Sequence, residues 1–328
     1  MTLAQLGSTT AIEEPLLPAV PNYPTDSPHE KEIEAARQLF LRLLKRVESE
    51  WVSMGEKNSV RLWKMIDPED PHGVPFLKGE TTVEGADAEA FLSGVVQIPG
   101  FRKLWDRRTE QGFMIERYSR SSVLFYALTK GKKFIASPRD IVGIQRNYVE
   151  GAGGERMIVQ TSVDEPEKAP RQEGKQRANL RLGGWRFTPE GPNLRVTYIF
   201  KISLGGSIPN SIVSMAASET PLCTGRARDA YYDHGHAPFV HAPSPEPSLV
   251  FQNEQFDAAS RRYSCIFTTG PRTGELFSIR YDRKRMYQDG VVVTIEGSAA
   301  DAQDDGNGSV AVLTMKSEQN VAVVLVPK

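Results

Sequence analysis

The chain has 328 residues, 39% apolar and 25% charged, which is enough for more than one packed core. Lys and Arg total 40 against 41 Asp and Glu, so bulk charge gives no electrostatic reason for a nucleic-acid partner. Two cysteines, Cys223 and Cys265, make neither a disulfide framework nor a thiolate metal set and point to a reducing compartment. No apolar stretch approaches the ~20 residues of a membrane-spanning helix.

Residues 1–28 carry Pro15, Pro18, Pro21, Pro24 and Pro28 with few large apolar side chains and read as a flexible leader. Ser27-Pro28 then opens a helix. Ile33, Ala36, Leu39, Phe40, Leu43, Leu44 and Val47 recur at three and four, which predicts an amphipathic element to about Val52. Strands are predicted at 60–65 and 76–83, on either side of a loop with Pro68, Pro71 and Gly73. A short helix follows over 87–96, and Pro99-Gly100 precedes a helical turn carrying Leu104-Trp105-Asp106. Strand-like runs come next at 112–119, 122–129, 141–149, 156–163, 178–187 and 194–202. So many strands of similar length between two helices predict one curved antiparallel sheet. Gly151-Ala152-Gly153-Gly154 lies between two strands, so it reads as a hairpin turn and not a phosphate cradle. A second long helix spans 205–234, with Pro221 at a kink.

Residues 237–247, with Pro238, Pro243, Pro245 and Pro247, read as a linker. Beyond it, strands are predicted at 248–253, 263–269, 275–281, 290–296, 309–316 and 320–326, with a turn at Asp304-Asp305-Gly306-Asn307-Gly308. Without a helical period, residues 248–328 are expected to form a small all-β sandwich.

Three segments carry a family resemblance. Ser137-Pro138-Arg139-Asp140 opens the apolar run Ile141-Val142-Gly143-Ile144; Gly206-Ser207-Ile208-Pro209-Asn210-Ser211-Ile212-Val213-Ser214-Met215-Ala216-Ala217 begins the second helix; Leu104-Trp105-Asp106-Arg107 forms the turn before the central strands. In this element order, they resemble the START family of lipid-binding domains. The resemblance implies an α+β helix-grip fold over 29–236, a curved antiparallel sheet closed by a long C-terminal helix over a hydrophobic cavity. It also implies one lipid ligand, exchanged at membrane surfaces without chemistry by a cytoplasmic, membrane-peripheral protein. No inorganic or nucleotide cofactor is implied.

One position departs from the family. Sterol-binding members often place an arginine six residues beyond the one matching Arg139; here Gln145 stands there and Arg146 follows, while the acidic partner falls near Phe125 and Tyr126. Period two puts Val142, Ile144, Arg146 and Tyr148 on one face. A bulge near Gly143 would turn Arg146 to the cavity with Glu116 as its partner; the alternative is a solvated Arg146 on the outer face.

Leu194, Val196, Tyr198, Phe200 and Ile202 give one strand a continuous apolar face, and Ile208, Ile212, Met215, Ala216 and Glu219 form a helical stripe filled in by small residues. Small residues leave volume behind, although the same pattern also permits close helix–sheet packing. The expected cavity wall is Val142, Ile144, Tyr198, Phe200, Ile212 and Met215, with Arg146 as polar contact. Neither Gly-x-Ser-x-Gly nor His-Glu-x-x-His occurs. An enzyme acting on an apolar substrate in the same cavity remains an alternative with Glu116 as its only nameable acid, as does a lipid-sensing adaptor that engages a protein partner through the β module. His234, His236 and His241 lie in and beside a Pro-rich segment without a scaffold to fix them, and no metal is expected there.

Overall fold

The computed structural model describes residues 27–131, 137–150, 153–205, 210–241 and 247–328. Helix α1 (Glu30–Lys45) buries Ile33, Ala36, Phe40 and Leu43, the stripe its spacing dictates, and Ser27 Oγ accepts from the His29 N–H at its entry at 3.2 Å. The helix ends before the expected Val52. The chain there passes through a 3₁₀ turn, Glu48–Glu50, into β1 (Val52–Lys57), a mostly exposed strand with no apolar alternation to announce it.

Eight longer strands follow, β2 (Val60–Met65), β3 (Phe76–Glu84), β4 (Thr109–Arg117), β5 (Ser122–Thr129), β6 (Arg139–Glu150), β7 (Glu155–Ser162) and, after the two-residue β8 (Gln176–Arg177), β9 (Asn179–Glu190) and β10 (Asn193–Ser203). They hydrogen-bond in the order β1-β2-β3-β10-β9-β7-β6-β5-β4, every neighbour antiparallel, while β8 adds in parallel to β6. Between β3 and β4 lie α2 (Ala88–Ala90), the π-helical turn Phe91–Gln97 that continues it, and α3 (Pro99–Trp105). Helix α1 covers one face of the sheet. Phe40 packs directly on Gly184, where a Cβ would come within 2.4 Å of the ring.

The opposite face carries α4 (Asn210–Glu219) and α5 (Cys223–His234), so the second helix is two helices broken at Thr220-Pro221-Leu222. Pro221 has no N–H to continue the ladder. The break rests on β3 at Gly79, where a Cβ would lie 2.2 Å from the Pro221 carbonyl oxygen; glycine alone lets the two backbones meet.

The C-terminal strands are β11 (Phe239–His241), β12 (Val250–Asp257), β13 (Arg262–Thr268), β14 (Leu276–Arg280), β15 (Val291–Glu296), β16 (Ala300–Asp304), β17 (Ser309–Thr314) and β18 (Asn320–Pro327). They build two four-stranded antiparallel sheets, β11-β14-β17-β16 and β12-β13-β18-β15. Phe277 meets Phe251 and Phe267 edge-on, at centroid separations of 5.4 and 5.1 Å. Two strands differ from the sequence reading. Strand β11 falls inside the segment read as a linker, since Phe239 and Val240 are buried despite the flanking prolines, and β16 turns only the small Ala300 and Ala302 toward the core, alternating with Asp301 and Gln303. The two parts share one core. It runs from Leu194, Val196 and Tyr198 through Phe91, Phe101 and Tyr231 into Phe251 and Tyr263.

Among the described residues no helix is long and apolar enough to cross a membrane.

Candidate functional site

Between the sheet and its second helical layer lies a cavity of about 1200 Å³. Phe125 and Ala127 on β5, Ile141 on β6, Leu180 on β9 and Phe200 and Ile202 on β10 form its apolar floor, and Met215 and Ala216 on α4 face it from above. Gly143 shapes that floor: a Cβ there would sit 2.8 Å from the Phe125 ring, so the bare backbone lets the ring lie across it. The roof is thin. Helix α4 offers Val213, Ala216 and Ala217 to the core beneath, and Met215 is 40% exposed.

Two polar groups of side chains interrupt the apolar wall. The first is a relay of amides: Gln160 Nε2 donates to Gln145 Oε1 at 2.7 Å, Gln145 Nε2 to Asn147 Oδ1 at 3.4 Å, and Asn147 Nδ2 to Gln97 Oε1 at 2.6 Å. Gln145, Gln160 and Gln97 line the cavity. Gln97 is placed there by the π-helical turn it ends.

The second surrounds Asp106, buried at the end of α3. Arg102 Nη2 donates to its Oδ2 at 3.1 Å, and Arg108 donates to its Oδ1 through Nε and through the backbone N–H, each at 3.3 Å. Burial alone would raise the Asp106 carboxyl, but the two guanidiniums outweigh it and hold the group well below the usual carboxylate range. Arg108 also reaches the helix break, donating to Thr220 Oγ1 at 2.9 Å and to Cys223 Sγ at 3.0 Å. Trp105 anchors this turn through Nε1 to the Val95 carbonyl at 2.9 Å, and Tyr198 stacks on Trp185 at 4.2 Å beside it. Burial raises the Tyr198 phenol and the Cys223 thiol, so both stay protonated at neutral pH.

Of the side chains expected in the wall, Tyr198, Phe200 and Met215 line the cavity. The side chain of Ile212, like all of Ile208, lies outside the described residues. Val142, Ile144 and Arg146 are placed otherwise. β6 pairs with β5 and β7 without a register shift at Gly143, so the period of two runs unbroken and sends the even positions to the α1 face. Val142 and Ile144 pack there with Ile33 and Phe40, and Arg146 makes a bidentate ion pair with Glu30 of α1 at 2.7 and 2.6 Å. Glu116 is paired instead with Lys168 at 2.6 Å.

The residues that do face the cavity from β6 are Arg139, Ile141 and Gln145. Amides at 145 and 147, two apart on one strand, were the available sign of the relay, and the Arg102-Asp106 spacing of four was the sign of the buried pair. Nothing in the sequence links Gln97 or Thr220 to them.

Among the described residues no cluster of His, Cys, Asp and Glu could hold a metal ion. His241 Nδ1 meets Glu89 at 2.7 Å and His236 Nδ1 lies 2.9 Å from the Ala237 carbonyl oxygen.

A family model described as the START domain matches residues 31–226, the part of the chain that holds the sheet, α4 and the start of α5. The chain belongs to the START domain family. Among solved structures, the START fold here is similar to human STARD10 at 19% identity, over 63% of this chain and 81% of that one, with a TM-score of 0.53. It is also similar to human StAR-related lipid transfer protein 5 at 21% identity, over 62% of this chain and 97% of that one, again with a TM-score of 0.53. At these identities the likeness is one of fold. A comparison with curated proteins gives no match.

Proposed function

We propose that the chain binds one lipid in the cavity between its sheet and α4–α5, and exchanges it at membrane surfaces without chemistry. The observation that carries this reading is the cavity itself, about 1200 Å³ with an apolar floor, under a helix built from small residues and left partly exposed. Ligand pockets of drug-sized molecules occupy roughly 300–1,000 Å³, so this volume suits a larger apolar molecule. A lipid leaving a membrane exposes apolar surface at about 25 cal/mol per Å², and the floor formed by Phe125, Ile141, Leu180, Phe200 and Ile202 replaces that environment. Gln145, at the position where sterol-binding members of the family often place an arginine, and its partner Gln160 supply uncharged donors and acceptors; they suit a hydroxyl or carbonyl on the ligand better than a charged group. Membership of the START family and the lipid-transfer protein among its structural likenesses support the same reading. Two unpaired, buried cysteines suit a cytoplasmic protein that meets membranes transiently.

Helix α4 is the gate in this reading. It covers the cavity with few large side chains, so lifting it exposes little apolar area. The test is movement of dehydroergosterol and of fluorescent phosphatidylcholine between donor and acceptor vesicles. The protein in catalytic amount is expected to accelerate at least one of them. No acceleration of either by a folded preparation, with no lipid extracted from it, would contradict the proposal.

A further inference from the structure

We infer that the C-terminal β module is itself a wall of the ligand cavity, and that its edge strand β12 touches the exposed polar end of the bound lipid. The inference rests on the lipid-binding reading above and adds a second domain to the site.

Among the described residues strand β12 pairs only with β13 in its sheet, and it lies against α3 of the START domain. It is held there at two points. At one end Phe256 packs against Phe101 of α3 at a centroid separation of 6.2 Å, and its carbonyl oxygen comes so close to Gly100 that a Cβ there would lie 1.6 Å away. At the other end the Arg120 guanidinium, in the β4–β5 turn, lies over the Phe251 ring at 5.5 Å. Helix α3 and the facing ends of β4 and β5, at Arg117 and Val123, line the cavity, and β12 runs from the α3 contact to the Arg120 contact.

Between those supports Asn253, Glu254 and Gln255 line the same cavity as Phe125 and Phe200, and Asp257 and Arg262 stand at its rim. Glu254 is held in place: it accepts from the Tyr263 hydroxyl at 2.7 Å and from the Val240 N–H at 3.1 Å. The polarity of the wall therefore changes along its length. The deep floor under α4 is apolar, whereas the β12 side presents amides and charged groups, together with Lys103 and Arg107 of the α3 end. An amphiphile lying along this gradient puts its chains or rings on Phe200 and Ile202 and its polar end against Asn253 and Gln255. Burial of the interface in one continuous core makes this wall a fixed part of the cavity and not a tethered neighbour.

The full-length protein would be loaded from vesicles containing a phosphatidylcholine with a diazirine near its glycerol, or a photoactivatable cholesterol. It would then be irradiated, digested and mapped by mass spectrometry. Labelling of the peptide that spans 250–264, alongside labels in the START domain, is the expected result. Labels confined to START-domain peptides would overturn the inference and leave the lipid-binding reading intact. Absence of any label, with no lipid co-purifying, would overturn both. As a second readout, Asn253→Trp should fill this side of the cavity and lower lipid loading about tenfold, with thermal unfolding unchanged. Undiminished loading by this folded variant would count against β12 as a wall.

Discussion

Asp106 is the residue whose removal the fold should tolerate least in the neighbourhood of the cavity. It is buried, it neutralises one of two guanidiniums, and through Arg108 it fixes Thr220 and Cys223 at the break between α4 and α5. Asp106→Ala leaves both arginines without their carboxylate, and we expect a loss of about 3 kcal/mol in urea unfolding. A change below about 0.5 kcal/mol would show that the pair is idle. Acid should act on the same group: its folded value is depressed, so its contribution is complete above the ordinary carboxylate range near 4 and is lost as pH falls below it. His236 works in a separate window. Burial holds its ring below the ordinary value, against the pull of Asp282 and Asp87 and with the help of Arg285. The folded chain therefore keeps it neutral while the unfolded chain takes up a proton below about pH 6.5, so stability falls as pH drops from 7 to 5. In His236→Gln that fall should be smaller; an identical pH profile would assign it to other groups. At this scale the sequence was only partly legible. Period two correctly grouped Val142, Ile144, Arg146 and Tyr148, but which side of the sheet they face depends on α1, whose Glu30 and Arg37 meet Arg146 and Tyr148 from far away in the chain.

Among the elements, α4 and α5 connect most directly to exchange. Pro221 marks the break in the sequence, and the structure gives it a seat on Gly79 and a clamp from Arg108. Replacing Pro221 by Ala restores an N–H and lets the helices run together, which should slow vesicle-to-vesicle transfer several-fold, a barrier change on the order of 1 kcal/mol. Unchanged transfer by a folded Pro221→Ala protein would remove the break from the gating mechanism. The longer elements were legible because their periods are clean, as in α1 and in β10, where Leu194, Val196, Tyr198, Phe200 and Ile202 share the helix-facing side. β1, β11 and β16 were not: β1 is polar and mostly exposed, β16 has only alanines as apolar residues on its inward side, and β11 is three residues long among prolines.

For the whole molecule, the important fact is that the START domain and the β sandwich are one packed unit around a common cavity and core. Composition and strand spacing gave two domains but no sign that β12 would lie on α3, because that contact is made by a backbone carbonyl against a glycine. Gly100→Ala tests it: with Phe256 O 1.6 Å from the added carbon, we expect a destabilisation of about 2–3 kcal/mol and faster proteolysis between the two parts. Wild-type stability would mean the interface yields without cost. The central claim, that the cavity holds a lipid, is met most directly by native mass spectrometry of the purified full-length protein, followed by organic extraction. A single lipid bound in stoichiometric amount and identified in the extract is the expected result; a protein that flies empty and takes up neither sterol nor phospholipid from vesicles would contradict it.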